Sequence, residues 1–426
     1  MTILRIVKDI RFSVFIFFVY SCLIAQPTSD RERKPRENLF EINILPVKDS
    51  VDCCISFNIP YNRLIFVKSG TSFSAGAQLY FEVKHNNKIF QRKSFSKKVL
   101  ANSYDETQSK EKLLEGFVDF RLVSSEYVVY PSIRIDNTNQ IVNLDSIVIK
   151  IPGLIKNDFV QPIVVRKLEG LHANSKMFHL VNRTNRIPFE PDNYKLLIPV
   201  QSNSLKEAAI KIEQLNRTVF SETLPVQSIG QLKMFDRDDR IIITDLEGEG
   251  SSKYLLVENF NKHLSEGAAV LTIKDDSTES KFTLAVEWID KPITLSNINL
   301  AIELLEIIYD RSELLELYKT SYQHKYNALF EFWDKKNPDR QYQYNNLMNE
   351  FYKRADYAMV NFGNLANQIG AKTDRGKIYI QFGKPDEVKR EYKSADAVAE
   401  IWYYKDLQKE FIFTDRTGLG NYILSK

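Results

Sequence analysis

Cysteine is scarce in this 426-residue chain: three residues, one of them, Cys22, inside an apolar N-terminal run. That excludes a small disulfide-built scaffold. Histidine is scarce too. His85, His172, His179, His263 and His324 are scattered, and no two have the i, i+4 spacing of a zinc-binding helix. Neither a Gly-x-Ser-x-Gly elbow nor a His-Glu-x-x-His motif occurs. No charge sign dominates: 58 basic residues face 55 acidic ones, a formal net charge of +3, which is not the signature of a nucleic-acid binder. Long hydrophobic runs are absent as well. The longest uncharged apolar stretch, Phe12 to Ala25, has 14 residues, where a membrane-spanning helix needs ~20.

That stretch follows Arg5, Lys8 and Arg11, the layout of a secretory leader. Residues 1–25 are expected to be a signal peptide cleaved after Ala25 to leave Gln26. Two alternatives stand beside it: Val19-Tyr-Ser-Cys22 as a lipobox with an acylated Cys22, and an uncleaved anchor. After cleavage no spanning segment is expected. Residues 26–38 are charged, contain Pro27 and Pro35, and read as a linker.

From Leu39 the pattern has period 2. Phe73, Ala75, Ala77, Leu79, Phe81 and Val83 share one face, with polar residues and small ones between them. The alternation returns at Val118, Phe120 and Leu122, and at Val129, Ile133 and Ile135; His85-Asn-Asn-Lys88 supplies hairpin-turn chemistry. A second module repeats this, with Ala208, Ile210 and Ile212 on one face. In it Ala269, Leu271 and Ile273 oppose Phe282, Leu284, Val286 and Trp288 across a polar loop. Near-regular spacing of short strands suggests immunoglobulin-like architecture. The expected fold is therefore multidomain and β-rich: two tandem immunoglobulin-like β-sandwiches, 39–156 and 160–291, then a C-terminal α+β domain, 292–426. Such sandwiches would serve as a spacer.

In the C-terminal part the period changes to 3.6. Leu315, Tyr318, Tyr322, Tyr326, Leu329 and Trp333 form a helical stripe that Asn337-Pro338 ends; Met348, Phe351, Ala355, Ala358 and Phe362 form another. Ile378, Ile380 and Phe382 alternate with Tyr379 and Gln381, which predicts a strand leading into a Gly383-Lys-Pro385-Asp386 turn. Trp402-Tyr-Tyr404 and Phe411-Ile-Phe413 predict two more strands, and Tyr422-Ile-Leu424 a short edge strand. Trp333 and Trp402 are the candidate core of this unit.

Chemistry is sparse. Gly370 to Lys377 looks like a phosphate loop, but five residues separate its glycines and Ile378 stands where Ser or Thr would hold magnesium. The strand expected to follow would also offer no helix N-terminus. Asp236, Asp238 and Asp239, interleaved with Arg237 and Arg240, lack the glycine and distal Glu of a calcium loop. No cofactor and no metal are expected. Cys53 and Cys54 are adjacent, so a strand would point them to opposite faces, one buried and one near the surface, the latter able to form an intermolecular disulfide. Lys84, Lys88, Arg92, Lys93, Lys97 and Lys98 read as a solvated basic hairpin, with binding to anionic envelope polymers as the alternative.

Thr373-Asp-Arg-Gly376, Phe382-Gly-x-Pro-Asp386, Glu400-Ile-Trp-Tyr-Tyr404 and Phe411-x-Phe-x-Asp415 together resemble the GWxTD domain. Upstream, Phe332-Trp333, Asn337-Pro-Asp339, Asn349-Glu-Phe-Tyr352 and Arg354-x-x-Tyr-Ala358 look like that family's helical run. The ordered matches extend over roughly Pro292 to Tyr422. Ala371 stands where the family has Trp. The resemblance implies an exported bacterial protein whose domain has no assigned activity. Its motif positions here are Gly370, Thr373, Asp374, Arg375, Gly376, Gly383, Pro385, Asp386, Trp402, Tyr403 and Asp415. The function expected is that of a non-catalytic cell-envelope protein, in the periplasm or at the cell surface, binding or scaffolding an envelope protein through a C-terminal docking module. The alternative is an envelope hydrolase whose Asp374, Asp386 and Asp415 converge in the fold.

Overall fold

The computed structural model describes residues 39–109, 112–138, 140–151, 159–168, 177–181, 186–202, 204–237, 240–246, 252–275, 278–364, 369–392 and 398–425. The leader, the linker, Cys22, His172, Asp238 and Asp239 lie outside the described residues. Strands make up 50% of the chain and helices 20%, so the chain is β-rich, with several sheets and a C-terminal helical region.

Alternation builds the first sheets. Strand Ser72–His85 buries Ala75, Ala77, Leu79, Phe81 and Val83, as the period-2 pattern predicts. It pairs with Lys88–Ala101 through a two-residue turn in which Asn86 and Asn87 take left-handed φ values of 48° and 60°; that turn matches the right-handed twist of paired strands. Ser125–Ile135 pairs with its other edge. A three-stranded sheet, Phe40–Val47, Ser50–Pro60 and Leu113–Leu122, covers this one, with Phe57 stacked 6.3 Å from Phe81.

The next two sheets have seven and five strands. Tyr194–Val200, central in the seven-stranded sheet, is buried at every position. Leu196, Ile198 and Val200 join Ile210, Leu271 and Ile273 of the five-stranded sheet in one core. Ile163, Val165 and Leu197, on the opposite face, join Leu45 and Cys54 of the three-stranded sheet in another. The seven-stranded sheet is thus covered on both faces, whereas the five-stranded sheet buries one face only, with Glu207, Ala209 and Lys211 exposed between Ala208, Ile210 and Ile212.

This overturns the expectation for the cysteines. Cys53 and Cys54 do point to opposite faces, but both are buried and free. Cys53 belongs to the first module's interior, and Cys54 lies in the layer shared with the second module. Burial pushes the Cys53 thiol up to about 12, with Asp52 adding to it, and burial likewise raises the Cys54 thiol well above its ordinary value. Neither is placed to form an intermolecular disulfide.

The basic hairpin is largely paired: Lys84 and Arg92 with Glu82, Lys93 with Asp119, and Lys97 with Asp236 of the second module.

The core of the second module continues into the helices. Trp288 and Phe189 meet Tyr344 edge-on at 5.5 and 5.3 Å, and Trp288 meets Phe330 at 6.2 Å. The stripe from Leu315 to Trp333 is interrupted. Thr320 is extended and Ser321 begins a new helix, so Leu315–Lys319 and Tyr322–Asp334 are separate, and Leu315 and Tyr322 are exposed. Asn346–Asn361 buries Met348, Phe351, Tyr352, Ala355 and Ala358. Its cap, Asn345, accepts from Met348 N and donates to the Trp333 carbonyl at 2.6 Å, which locks the two helices together. Trp333 and Trp402 are both buried.

The predicted strand at Ile378–Phe382 is instead part of a helix, Asp374–Phe382. A run this short fits both periods, and its caps decide. Thr373 Oγ1 accepts from Gly376 N at 3.1 Å, as a helix N-cap does. Gly383, at φ 83°, closes the other end. The four-stranded sheet beneath runs Glu387–Tyr392, Val398–Tyr404, Lys409–Asp415 and Ile423–Leu424, all antiparallel. Its first strand, exposed and charged over most of its length, carries no apolar alternation and gave no sequence signal.

Candidate functional site: the motif cluster and its groove

The motif residues come together where the Asp374–Phe382 helix crosses the small sheet. Gly370 and Gly376 allow the crossing. A Cβ on Gly370 would lie 2.2 Å from the Ala358 carbonyl oxygen, and one on Gly376 would lie 2.0 Å from the Gly370 oxygen. Both clashes are with backbone, which cannot swing away.

Beside Gly376, in the first turn of the helix, Arg375 enters the sheet side. Its guanidinium lies 3.9 Å from the Tyr422 ring centroid and 5.3 Å from that of Phe362, within cation–π range. Its Nη1 donates to Glu400 Oε1 at 3.4 Å. Glu400 is 3% exposed, and it also accepts from Trp402 Nε1 at 2.8 Å and from Arg390 Nε at 3.0 Å. The carboxylate therefore gathers two cations and an indole N–H, the partners a buried charge needs. Trp402 in turn packs on Phe362 and Phe413 at 5.3 and 4.9 Å. Glu400 opens the Glu400–Tyr404 motif read from sequence but was assigned no role there, and Arg390 was not singled out. The available signal was Glu400 lying two residues before Trp402, hence on the same strand face.

The remaining motif residues fix turns. The Tyr404 hydroxyl donates to the Gly383 carbonyl at 2.8 Å. Pro385 is half-buried in the turn that leads to Asp386, whose Oδ2 accepts from Lys405 N at 2.7 Å. Tyr403 is half-buried, with Lys389 5.1 Å from its ring. Asp415 accepts from Thr417 N and Gly420 N at 3.0 and 2.6 Å. Burial would raise its carboxyl, but these backbone hydrogen bonds outweigh that and hold it below the usual range. Asp374 Oδ2 accepts from Leu424 N at 2.9 Å.

The three carboxylates considered for hydrolysis thus bind three different backbone segments. Asp386 is bonded beside Tyr403, while Asp415 pairs with Val398 on the same strand. Those anchor points lie roughly 16 Å apart at the rise of a strand. Among the described residues no cluster of His, Cys, Asp and Glu could hold a metal ion. The phosphate-loop comparison changes in one respect: a helix does follow Gly370–Lys377. Its N-terminus is already capped by Thr373, with the acidic Asp374 in its first turn, and the spacing and Ile378 still depart from the motif.

Beside the cluster lies a groove of about 550 Å³. Leu304, Ile307, Ile378 and Leu424 give it apolar walls, Ala371 lines it, and Glu303, Glu306, Lys372, Asp374 and Lys377 supply its charges. Lys372 and Glu303 are paired at 2.6 Å.

The architecture defines a β-rich, multi-sheet protein ending in a helical unit packed on a small antiparallel sheet. The model of the GWxTD domain matches residues 269–424, and the chain is a GWxTD domain-containing protein. The match starts inside the hairpin Gly267–Lys274 and Glu279–Glu287 of the five-stranded sheet, upstream of the Pro292 start read from the motifs. No curated protein matches the chain. Among solved structures, one described as "Anomalous substructure of Titin-A168169" is 9% identical, covering 58% of this chain and 97% of that one at a TM-score of 0.13. Nothing about this fold follows from a score that low. Among the described residues no helix is long and apolar enough to cross a membrane.

Proposed function

We propose that this is an exported cell-envelope protein that binds or scaffolds an envelope partner through its C-terminal unit, without catalysis of its own. In this reading its β modules are two tandem immunoglobulin-like sandwiches acting as a spacer. The domain limits are those read from the sequence, 39–156, 160–291 and 292–426. The leader takes the chain to the periplasm or cell surface. One observation carries the reading: the motif residues are committed to internal bonds, Arg375 and Trp402 to Glu400 and each motif aspartate to a backbone N–H. What they build is a rigid unit with a preformed groove, as a recognition surface requires.

Capture from an envelope extract on the full-length chain tests this. A Lys372→Glu/Lys377→Glu double variant reverses the groove's basic charges. A Tyr80→Ala/Tyr130→Ala double variant alters exposed rings of the first module. Loss of a captured protein with the first variant and its retention with the second is the expected result; the reverse refutes docking through the C-terminal unit. N-terminal sequencing of the envelope-associated protein, expected to begin at Gln26, tests the leader.

A further inference from the structure

Arg375 is 8% exposed, yet among the described residues its side chain makes a single hydrogen bond, from Nη1 to Glu400. A guanidinium carries five N–H groups. Its Nε is buried and meets no acceptor, which is unfavourable for a buried donor. The ring faces of Tyr422 and Phe362 attract the charge but supply no acceptor to Nε. Arg390 stands on the other oxygen of the same carboxylate, its Nε donating to Glu400 Oε2 at 3.0 Å, with its own side chain 62% exposed. That bond, with Tyr422 and Tyr392 nearby, holds the Arg390 guanidinium above its ordinary range. Two cations therefore share one carboxylate, and one positive charge is in surplus. Asp415, the next acid on that face of the sheet, spends its two oxygens on Thr417 and Gly420 of its own loop.

We propose that Arg375 and Arg390 form a binding site for a ligand carboxylate, which takes the N–H groups that Glu400 leaves unused. One carboxylate balances the surplus charge, and its two coplanar oxygens match the planar edge of a guanidinium. Access is through Tyr422, the half-buried ring over Arg375. It directly precedes Ile423–Leu424, a strand of two residues at the edge of the small sheet, and short edge elements open locally at low cost. This site goes beyond the docking function above, which is tested at Lys372 and Lys377.

The test uses the full-length, ¹⁵N-labelled chain and follows the Arg375 Nε–H resonance, identified by its proximity to the Tyr422 ring, while sodium acetate is titrated at constant ionic strength. A saturable shift is expected, with inorganic phosphate binding more weakly. Arg390→Ala is expected to weaken acetate binding about tenfold, as the loss of a hydrogen bond to a charged group implies. Arg390→Lys, which keeps the charge without the planar edge, should also weaken it and serves if Arg390→Ala does not fold. Two peptides separate the sources of the carboxylate. Binding of an acetylated alanine peptide with a free C-terminus assigns the site to a chain end. Binding of its C-terminal amide carrying one Asp assigns it to an acidic side chain. A resonance that acetate does not move shows that water alone fills Nε and overturns the proposal. Equal acetate binding by wild type and the folded Arg390 variants, or tighter binding of phosphate, overturns it as well. Failure of the docking reading gives a different result: acetate still shifts Arg375, yet the Lys372→Glu/Lys377→Glu chain keeps its captured partners.

Discussion

At the residue scale the decisive group is Glu400. It is buried and holds Arg375, Arg390 and the Trp402 indole at once. Removing one member of a buried ion pair leaves an uncompensated charge, at a cost of about 3–5 kcal/mol. Glu400→Ala is therefore expected to lower the unfolding free energy by that order in urea titrations. Glu400→Gln, which keeps an acceptor for Trp402, should cost less. Asp415 supplies a pH signature. Its folded pKa is depressed, so its stabilising contribution is present above the unfolded carboxyl range, about pH 4, and is lost as pH falls through the lower folded value. Asp415→Asn should destabilise the protein at neutral pH and flatten the acid limb of its stability profile. An acid limb as steep as that of the wild type would contradict this assignment.

At the scale of elements, the C-terminal unit is tied by caps and by one aspartate. Asp356, on the Asn346–Asn361 helix, accepts from Ile293 N, Thr294 N and the Thr294 hydroxyl. It thereby pins the start of the helical region. Asp356→Ala leaves these donors without their partner, and hydrogen bonds to a charged group contribute about 1.5–3 kcal/mol each. Faster amide exchange over residues 292–304 is the expected result, with the Ser72–His85 strand unchanged. Thr373→Ala removes the cap that makes Asp374–Phe382 a helix and should cost about 1 kcal/mol in the same urea titration.

Two features here escaped the sequence for different reasons. The Asp374–Phe382 segment satisfies strand alternation and helical spacing alike, and only the Thr373 cap, with Gly376 seated on Gly370, breaks the tie. The Glu387–Tyr392 strand carries almost no apolar signal because it lies exposed at a sheet edge, where charged residues discourage further pairing. By contrast, the Asn346–Asn361 helix and the Ser72–His85 hairpin were legible, since each buries one face and its periodicity records which.

At the scale of the whole molecule, the stacking of the sheets sets the behaviour. Cys53 and Cys54 lie in layers covered on both sides, with thiols shifted upward. Maleimide is therefore expected to leave both unmodified in the native protein and to react on addition of denaturant; rapid native labelling would show that the three-stranded sheet is open to solvent. The core shared between Trp288, Phe189, Tyr344 and Phe330 also joins the helices to the second module. For that reason full-length surface variants, and not a chain cut before Pro292, are the sound tests of docking.

The sequence by itself determined the β-rich character, the switch to helices after Leu295, the buried tryptophans and the motif positions. All of these follow from local periodicity and residue type, which act over a few neighbours. Only the tertiary structure decided that both cysteines are enclosed, that Arg375 and Arg390 converge on Glu400, that the three aspartates bind separate backbone segments, and that a groove opens beside Ala371. Each of those depends on which distant segments are brought into contact, and a pattern of period 2 or 3.6 says which face is covered without saying by what.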